Sequence, residues 1–267
     1  MSNKLLLFMK NKNKKIKYLP IYTTNLNNNL NINIVVSRYN ENLDWINNEP
    51  FNKYFITCYN KGNNNNFKIN SPHETIKLNN VGKCDHTYLY HIVNNYDKLS
   101  DYIIFLPGSN NISYKLLKST NLINHIEYYG SLVNIGTCTQ TNIKDYFYNF
   151  KCDQYKTTDK NNYLLNNESK TEKSKIRPFG KWYEHHFNDT NINFYTWWGI
   201  FAISREIIHQ HPKEYYEKFL NEVCNTSNPE VGHYIERSWF AIFHPINNCK
   251  FINHKYYMMG PKKAHII

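Results

Sequence analysis

The stretch Arg38–Asn42 carries the first side chains that suit chemistry. It follows an apolar run and places an arginine beside Asn40 and Glu41. A guanidinium can pair with a phosphate through two parallel hydrogen bonds. The neighbouring amide and carboxylate can hydrogen-bond a base or a ribose. The alternative is an ordinary capped turn between a strand and a helix, with Asn42 or Asp44 as the cap.

A second stretch, Asn80–Asp85, places a glycine and a lysine directly before an amphipathic helix. The amino end of a helix attracts anions because its first N–H groups and its dipole present positive charge there. Lys83 adds a full charge, Gly82 suits a turn with positive φ, and Asp85 is predicted as the N-cap. These residues indicate a contact with a diphosphate, and the alternative is a plain capped turn. Cys84 has no identifiable base partner that would make it a nucleophile.

Two adjacent tryptophans, Trp197 and Trp198, precede a glycine. Side chains alternate along a strand, so both indoles cannot point inwards from one strand. We therefore expect one of them at a binding site or under a loop, where an indole face can stack on the C–H face of a pyranose. The alternative is that tryptophans of this kind belong to the core.

Glu230, His233 and Glu236 flank the start of the last predicted helix at spacings of three residues. Residues at that spacing can share a helix face, and a carboxylate or an imidazole there can take a proton from a hydroxyl group. The alternatives are a favourable charge at the helix amino end for Glu230 and a surface ion pair between Glu236 and Arg237.

The elements that must position these residues alternate between strands and helices. β-branched and aromatic runs predict strands at 32–37, 54–59 and 102–106 and within 195–204. Apolar spacing predicts helices at about 85–96, 112–128, 205–223 and 229–243. This order is typical of a mostly parallel sheet flanked by helices, which binds ligands at the carboxyl ends of its strands.

We therefore predict one α/β, Rossmann-like domain over residues 31–250. A Lys/Asn-rich peripheral segment is predicted at 1–30, a polar insertion or lid at about 150–177, and a tail at 251–267.

The composition excludes several classes of protein. Aromatic residues make up 16% of the 267 residues, which supports a packed core and excludes wholesale disorder. No apolar run approaches the roughly 20 residues of a membrane span, and we expect no secretion signal. The six cysteines form no Cys-x-x-Cys pair, and the doublet His185–His186 lacks the spacing of a zinc site. We expect a reduced, intracellular protein with no metal site.

The net charge of +11 raises the question of a polyanionic partner. Asn, Lys, Ile and Tyr are abundant and have AT-rich codons, so the lysine content partly reflects an AT-rich genome. Nucleic-acid binding is therefore a minor alternative. It would require one continuous basic groove with interleaved aromatic residues, whereas the lysines are scattered along the chain.

Several segments, in this order, resemble an uncharacterised family of glycosyltransferase-like proteins with members in large DNA viruses, algae, fungi and bacteria. The matching strings are VVSRYNENLDWI, NVGKCDHTYLYHIVNNYDKLSDYIIFLPGS, FGKWYE, WWGIFAISREII and GHYIERSWFAIF. They span roughly residues 32–245, and the second string is the most specific. The family is similar to the GT-A glycosyltransferases, which bind nucleotide-sugars on a Rossmann-like sheet.

The resemblance implies a GT-A-like domain that transfers a sugar from a nucleotide-sugar donor to a glycan or protein acceptor. The donor would contact residues of the first two stretches, namely Arg38, Asn40, Glu41, Asn80, Gly82, Lys83 and Asp85. The acceptor would contact Trp197 and Trp198, and one of Glu230, His233 and Glu236 would be catalytic.

Two departures from the pattern matter. The family usually has Gly-Arg-Glu-Ser where this chain has Gly82-Lys83-Cys84-Asp85, so the bidentate fork of arginine and a carboxylate are lost. GT-A enzymes bind Mn²⁺ or Mg²⁺ through an Asp-x-Asp motif, and Leu106–Ser109 stands in that place here. The sequence therefore favours a transferase that needs no metal, although Mn²⁺ or Mg²⁺ stays possible. The alternative is a non-catalytic module with a sugar-binding or structural role.

Overall fold

The computed structural model of the 267-residue chain describes residues 30–155, 171–188 and 190–254. The predicted peripheral segment up to residue 29, the middle of the predicted insertion and the tail beyond residue 254 lie outside the described residues. The predicted domain boundaries therefore stay predictions.

The strands form two sheets. They are β1 (Ile32–Arg38), β2 (Phe55–Asn60), β3 (His73–Lys77), β4 (Tyr102–Pro107), β5 (Leu132–Cys138), β6 (Phe194–Tyr195), β7 (Phe201–Ser204) and β8 (Cys249–Asn253). The central sheet has the order β3-β2-β1-β4-β7, in which β7 alone pairs antiparallel. This mixed, mostly parallel sheet with flanking helices confirms the predicted α/β, Rossmann-like class.

The helices pack on the central sheet and at its edges. They are α1 (Lys83–Asn94), α2 (Ser113–Tyr129), α3 (Ile143–Tyr146), α4 (Phe179–Phe187), α5 (Arg205–Ile208), α6 (Lys213–Glu222) and α7 (Glu230–Ile242). Short 3₁₀ helices occupy Asp44–Asn47, Phe51–Lys53, Tyr96–Lys98 and Gly108–Asn111. Among the residues that the structure describes, no helix combines the length and apolar character that crossing a membrane requires.

Strands β1 and β4 lie side by side in the middle of the sheet. Every residue of β1 is buried, as are all residues of β4 after Tyr102. Strands covered by helices on both faces favour such continuous apolar runs. The strand order reverses between β1 and β4, and sheets of this class open a ligand crevice at that point.

Two predictions about the helices are wrong. Asp85 is not the N-cap of α1, because Gly82 precedes the helix at φ 59° and Asp85 lies in the first turn. The helix predicted over 205–223 is two helices, α5 and α6. Pro212 caps the second, and a proline interrupts a helix because it has no N–H to donate.

The second sheet, with the order β6-β5-β8, is absent from the sequence prediction. Its central strand β5 carries a buried Asn134 whose amide bridges to β7. Asn134 Nδ2 donates to the Ala202 oxygen at 2.7 Å, and the Ala202 N–H donates to Asn134 Oδ1 at 2.9 Å. One polar side chain therefore joins the two sheets and at the same time weakens the apolar pattern of its own strand.

Candidate functional site

A cavity of about 460 Å³ opens at the carboxyl edge of the central sheet. Its walls come from the segments after β1 and β4, the start of α1, the segment 150–155, the turn before β7, and α7. It therefore lies at the reversal of strand order. Nine of the predicted site residues line it, namely Arg38, Glu41, Asn80, Lys83, Asp85, Trp197, Trp198, His233 and Glu236.

Asn40, Gly82 and Glu230 are not among the residues that line the cavity. Asn40 Oδ1 accepts a hydrogen bond of 2.7 Å from Asn64 Nδ2. Gly82 forms the turn before α1, where a Cβ atom would come within 2.2 Å of the Val223 oxygen. Close packing and the positive φ both favour glycine there.

The guanidinium of Arg38 is buried and holds the loop that follows β2. Its Nε donates to the Glu41 oxygen at 2.9 Å, and Nη1 donates to Asn60 Oδ1 at 2.8 Å and to the Asn64 oxygen at 3.0 Å. Its Nη2 donates to the side-chain oxygens of Asn64 and Asn66. Each guanidinium nitrogen of Arg38 therefore has an acceptor within the protein. Arg38 can act on a ligand through its charge and through the loop that it orders.

The side chains of two lysines, Lys61 and Lys83, are found at the start of α1. Lys61 follows β2, and its ammonium group donates to the backbone oxygens of Val81 and Lys83. Burial lowers the pKa of Lys61 to about 7 and that of Lys83 to about 8.

The cavity wall holds five cationic side chains and three carboxyl groups. The cationic side chains are Arg38, Lys61, Lys83, Lys115 and Arg237, and the carboxyl groups are Glu41, Asp85 and Glu236. The excess of positive charge suits an anionic ligand.

Asp85 is a buried carboxyl group in the cavity wall. Its Oδ1 accepts a hydrogen bond of 3.0 Å from Trp239 Nε1. Burial and the charge of Glu236 raise the pKa of Asp85 well above its usual range. A raised pKa disfavours cation binding, because a cation binds the ionised carboxylate.

The turn that contains Trp197, Trp198 and Gly199 is held from two sides. Lys118 in α2 donates to the Trp197 oxygen at 3.1 Å, and Glu236 Oε1 accepts from the Trp198 N–H at 2.9 Å. Trp198 has φ +68°, which is a rare conformation for a bulky residue and the kind of strain that clusters at functional sites. The premise that the two tryptophans occupy a strand is wrong, and the turn brings both indoles into the cavity wall.

Of the three residues predicted to transfer a proton, Glu236 has the most suitable surroundings. Its side chain is 20% exposed and lines the cavity. His233 also lines the cavity, but burial, helped by the charges of Arg237 and Lys83, lowers its pKa to about 3. An imidazole with so low a pKa is a weak base at neutral pH.

Glu230, the third of these residues, is fully buried. Its Oε1 accepts from the Cys152 N–H at 2.8 Å and its Oε2 from the Ser174 N–H at 2.9 Å. Arg177 Nη2 donates to Oε1 at 3.0 Å. The carboxylate therefore joins α7 to the two chain segments 150–155 and 171–177, and these contacts occupy the oxygens that a catalytic base needs.

Several lining residues escaped the sequence analysis, namely Lys61, Lys115, Cys152 and Tyr155, and Arg237 was considered only as a surface partner of Glu236. The sequence could have identified Lys61 as a site residue, because it follows a predicted strand just as Arg38 does. Tyr155 carried none, because it lies in a polar stretch and reaches the site through contact with His233, at 4.8 Å between ring centres.

The residues at this site do not suit a divalent cation. Within residues 30–155, 171–188 and 190–254, no group of three or more His, Cys, Asp or Glu side chains is arranged to hold a metal ion. The segment Leu106–Ser109, where GT-A enzymes carry their Asp-x-Asp motif, supplies no carboxylate. Glu41, a carboxylate in the cavity wall, already has a partner for one oxygen, because its Oε2 accepts from the Tyr39 N–H at 2.6 Å.

Comparisons relate the chain to known proteins. Among solved structures, the chain is similar to the crystal structure of HddC from Yersinia pseudotuberculosis, at 10% identity and a TM-score of 0.32, over 89% of this chain and 93% of that chain. A search of curated proteins finds no match. The model of a family described as "Protein of unknown function (DUF3431)" matches residues 34–257. Because this match covers most of the sequence, the chain belongs to the DUF3431 family.

Proposed function

We propose that this protein is a glycosyltransferase that moves a sugar from a nucleotide-sugar donor to a glycan or protein acceptor. The observation that carries the proposal is the cavity, where an excess of cations meets two tryptophans and an accessible carboxylate. Cations suit a diphosphate, indoles suit a pyranose, and a carboxylate suits proton removal from a hydroxyl group. The volume of about 460 Å³ falls within the range of small-molecule sites.

The donor diphosphate is assigned to the start of α1. The positive end of the helix dipole adds there to the charges of Lys61 and Lys83. Lys115, whose Nζ donates to Ser109 Oγ at 2.7 Å, supplies a further cation from the first turn of α2. These lysines can balance the charge of a diphosphate, so the proposed reaction includes no step through a metal ion.

The nucleoside is assigned to the side of the cavity formed after β1. Glu41, which follows β1, and Asn80, which precedes α1, both line the cavity and can hydrogen-bond a ribose or a base. Arg38 orders the adjoining loop through Asn64 and Asn66. Its role in the proposal is to position the nucleoside side of the site.

Glu236 is the proposed general base. The acceptor hydroxyl gives its proton to the Glu236 carboxylate as its oxygen bonds to the anomeric carbon. The bond from that carbon to the diphosphate oxygen breaks, and the electron pair leaves on the diphosphate beside Lys61 and Lys83. Trp197 and Trp198 orient the sugar rings. A single displacement of this kind inverts the configuration at the anomeric carbon.

The purified protein is expected to bind one class of nucleotide-sugar. The measurement is the shift of Tm with UDP-, GDP-, dTDP- and CMP-linked sugars, each with and without Mn²⁺. A ligand specific for the native state, at 100 times its Kd, adds about 2.7 kcal/mol to the free energy of unfolding. A donor-specific rise names the nucleotide. No rise with any donor at concentrations above about 1 mM, the upper end of usual KM values, contradicts the proposal.

Lys83→Gln tests the diphosphate assignment with the donor so identified. The substitution removes one charge-assisted contact and is expected to weaken binding about tenfold. Lys53→Gln is the matched control, because Lys53 precedes β2 at the opposite edge of the sheet and pairs with Glu127 at 3.5 Å. An equal loss in both variants would indicate an effect of net charge alone.

A non-catalytic module that binds sugars is the second candidate. The raised pKa of the buried Asp85 and the presence of cysteine at position 84 favour it, because both disfavour an ionised carboxylate at the start of α1. Both candidates bind the donor. Only a transferase releases the free nucleotide of its donor when an acceptor is added, so assaying that release separates them.

Gly232→Ala is expected to strengthen the fold and weaken ligand binding. Gly232 lies in α7 and lines the cavity. An added Cβ atom would meet Asp85 Oδ2 at 3.7 Å and Pro229 Cγ at 3.8 Å, both ordinary contacts. Alanine should therefore raise the free energy of unfolding by about 0.5–1 kcal/mol.

The protein itself leaves room for a methyl group at Gly232, so the space is assigned to the ligand. Urea denaturation and donor titration of the same variant measure the two effects. A stabilised variant with unchanged donor affinity would show that the ligand does not reach α7 at this residue.

A further inference from the structure

Arg237 in α7 has hydrogen-bonding capacity that the described protein does not use. Its side chain lines the cavity and only 8% of the residue is exposed. Its Nη1 donates to the His233 oxygen at 2.7 Å and lies 3.7 Å from Glu236 Oε2. Its Nε is buried and has no acceptor among the described residues. A buried donor without an acceptor is unfavourable, so this group marks a place where a ligand can supply one.

Aromatic rings fix the orientation of this guanidinium. Its Cζ lies 3.8 Å from the ring centre of Phe150, 4.9 Å from that of Trp197 and 5.2 Å from that of Phe147. Rings that cover the face of a guanidinium leave its edge, which carries the N–H donors, for hydrogen bonding. Donors along one edge match the paired oxygens of a carboxylate or a phosphate.

Arg237 projects from a different element than the lysines to which the diphosphate is assigned. The lysines for the diphosphate lie at the start of α1 and after β2, whereas the guanidinium of Arg237 lies over the ring of Trp197. Trp197 is one of the two tryptophans proposed to orient the sugar. Glu236 is its nearest described carboxylate, and that carboxylate already accepts the Trp198 N–H. An anion at Arg237 is therefore best placed on the sugar.

We propose that Arg237 binds an anionic group of the sugar substrate, a carboxylate or a phosphate, so that the cavity accepts an acidic or phosphorylated sugar. The inference rests on the proposed function, whose sugar it specifies. The shared chemistry is a pair of anionic oxygens held at the edge of a stacked guanidinium.

Titration of simple sugars tests the proposal. The probes are glucuronate, glucose 6-phosphate and glucose at millimolar concentrations, with Kd taken from the shift of Tm and from calorimetry. At least one anionic sugar is expected to bind the wild type, and glucose at least about tenfold more weakly. The first two probes distinguish a carboxylate from a phosphate.

Three variants complete the test. Arg237→Gln is expected to lose at least about tenfold in affinity for the anionic sugar. Arg237→Lys keeps the charge without the paired N–H donors, so its affinity is expected to lie between those of the wild type and Arg237→Gln. Arg205→Gln is the control for net charge, because Arg205, the first residue of α5, pairs with Asp101 at 2.6 Å and does not line the cavity. Its affinity is expected to stay at the wild-type value.

The inference is overturned if the wild type binds neither anionic sugar, or if both Arg237 variants bind them as the wild type does. It is also overturned if Arg237→Gln loses UDP or GDP and the anionic sugar alike, since the arginine would then hold the diphosphate. Failure of every nucleotide to bind the wild type contradicts the proposed function instead, while the sugar titrations still decide the role of Arg237.

Discussion

Replacing Glu236 with glutamine is expected to lower kcat for sugar transfer by a factor of about 10²–10⁴, the usual contribution of a general base. The amide cannot take the proton of the acceptor hydroxyl. It keeps an oxygen that can accept the Trp198 N–H, a bond of 2.9 Å in the wild type, so the turn with both tryptophans should persist. The measurement is the initial rate of transfer with the donor identified by thermal shift, together with donor Kd, which is expected to stay near the wild-type value.

Two further variants separate proton transfer from positioning. Glu236→Ala removes both the base and the acceptor for the Trp198 N–H, so it should raise the KM for the acceptor as well as lower kcat. His233→Gln should change kcat much less, because the low pKa of His233 makes it a weak base. A large loss in His233→Gln with full activity in Glu236→Gln would move the base to the histidine.

The centre of the fold was predictable because burial and sequence pattern agree there. In β1, residues Ile34, Val35 and Val36 are fully buried, and their β-branched run is a direct signal for a strand. Strand β3 gives no such signal, because it forms an edge and four of its five residues are exposed. Edge strands tolerate polar residues that break an apolar pattern. The second sheet was missed because Asn134 satisfies its amide through Ala202, a contact that no local pattern records.

The location of the site followed from topology, but the roles of its residues depend on contacts distant in sequence. Loops after β1 and before α1 must meet at the carboxyl edge of a parallel sheet, so Glu41 and Lys83 were predictable there. Arg38 was expected to face a phosphate, yet its fork is directed to asparagines up to 28 residues away. Spacing on α7 grouped Glu230 with His233, but Glu230 is bound by Arg177, 53 residues earlier in the chain.

Glu230→Ala is expected to reduce the free energy of unfolding by at least about 1–3 kcal/mol, the usual cost of leaving buried hydrogen-bond donors without their acceptor. The carboxylate is fully buried. Its loss leaves the N–H groups of Cys152 and Ser174 without their acceptors, which lie at 2.8 and 2.9 Å, and removes an ion pair with Arg177. Urea denaturation measures the change. Glu230→Gln should also be destabilised, because an amide nitrogen is itself a donor and cannot accept from these N–H groups.

Asp153→Asn is the matched control for that prediction, because Asp153 contacts the same Arg177 at 2.8 Å but is 59% exposed. An ion pair in that position contributes little, so its urea midpoint should stay near the wild-type value. Where Glu230→Gln is still folded, its kcat should stay close to that of the wild type, since the carboxylate is absent from the cavity wall. Unchanged stability with lost activity would instead make Glu230 the catalytic carboxylate.

The segments 150–155 and 171–177 are both held by hydrogen bonds to Glu230. A destabilised Glu230 variant should therefore also bind sugar more weakly, because Phe150 and Tyr155, which line the cavity, would be displaced.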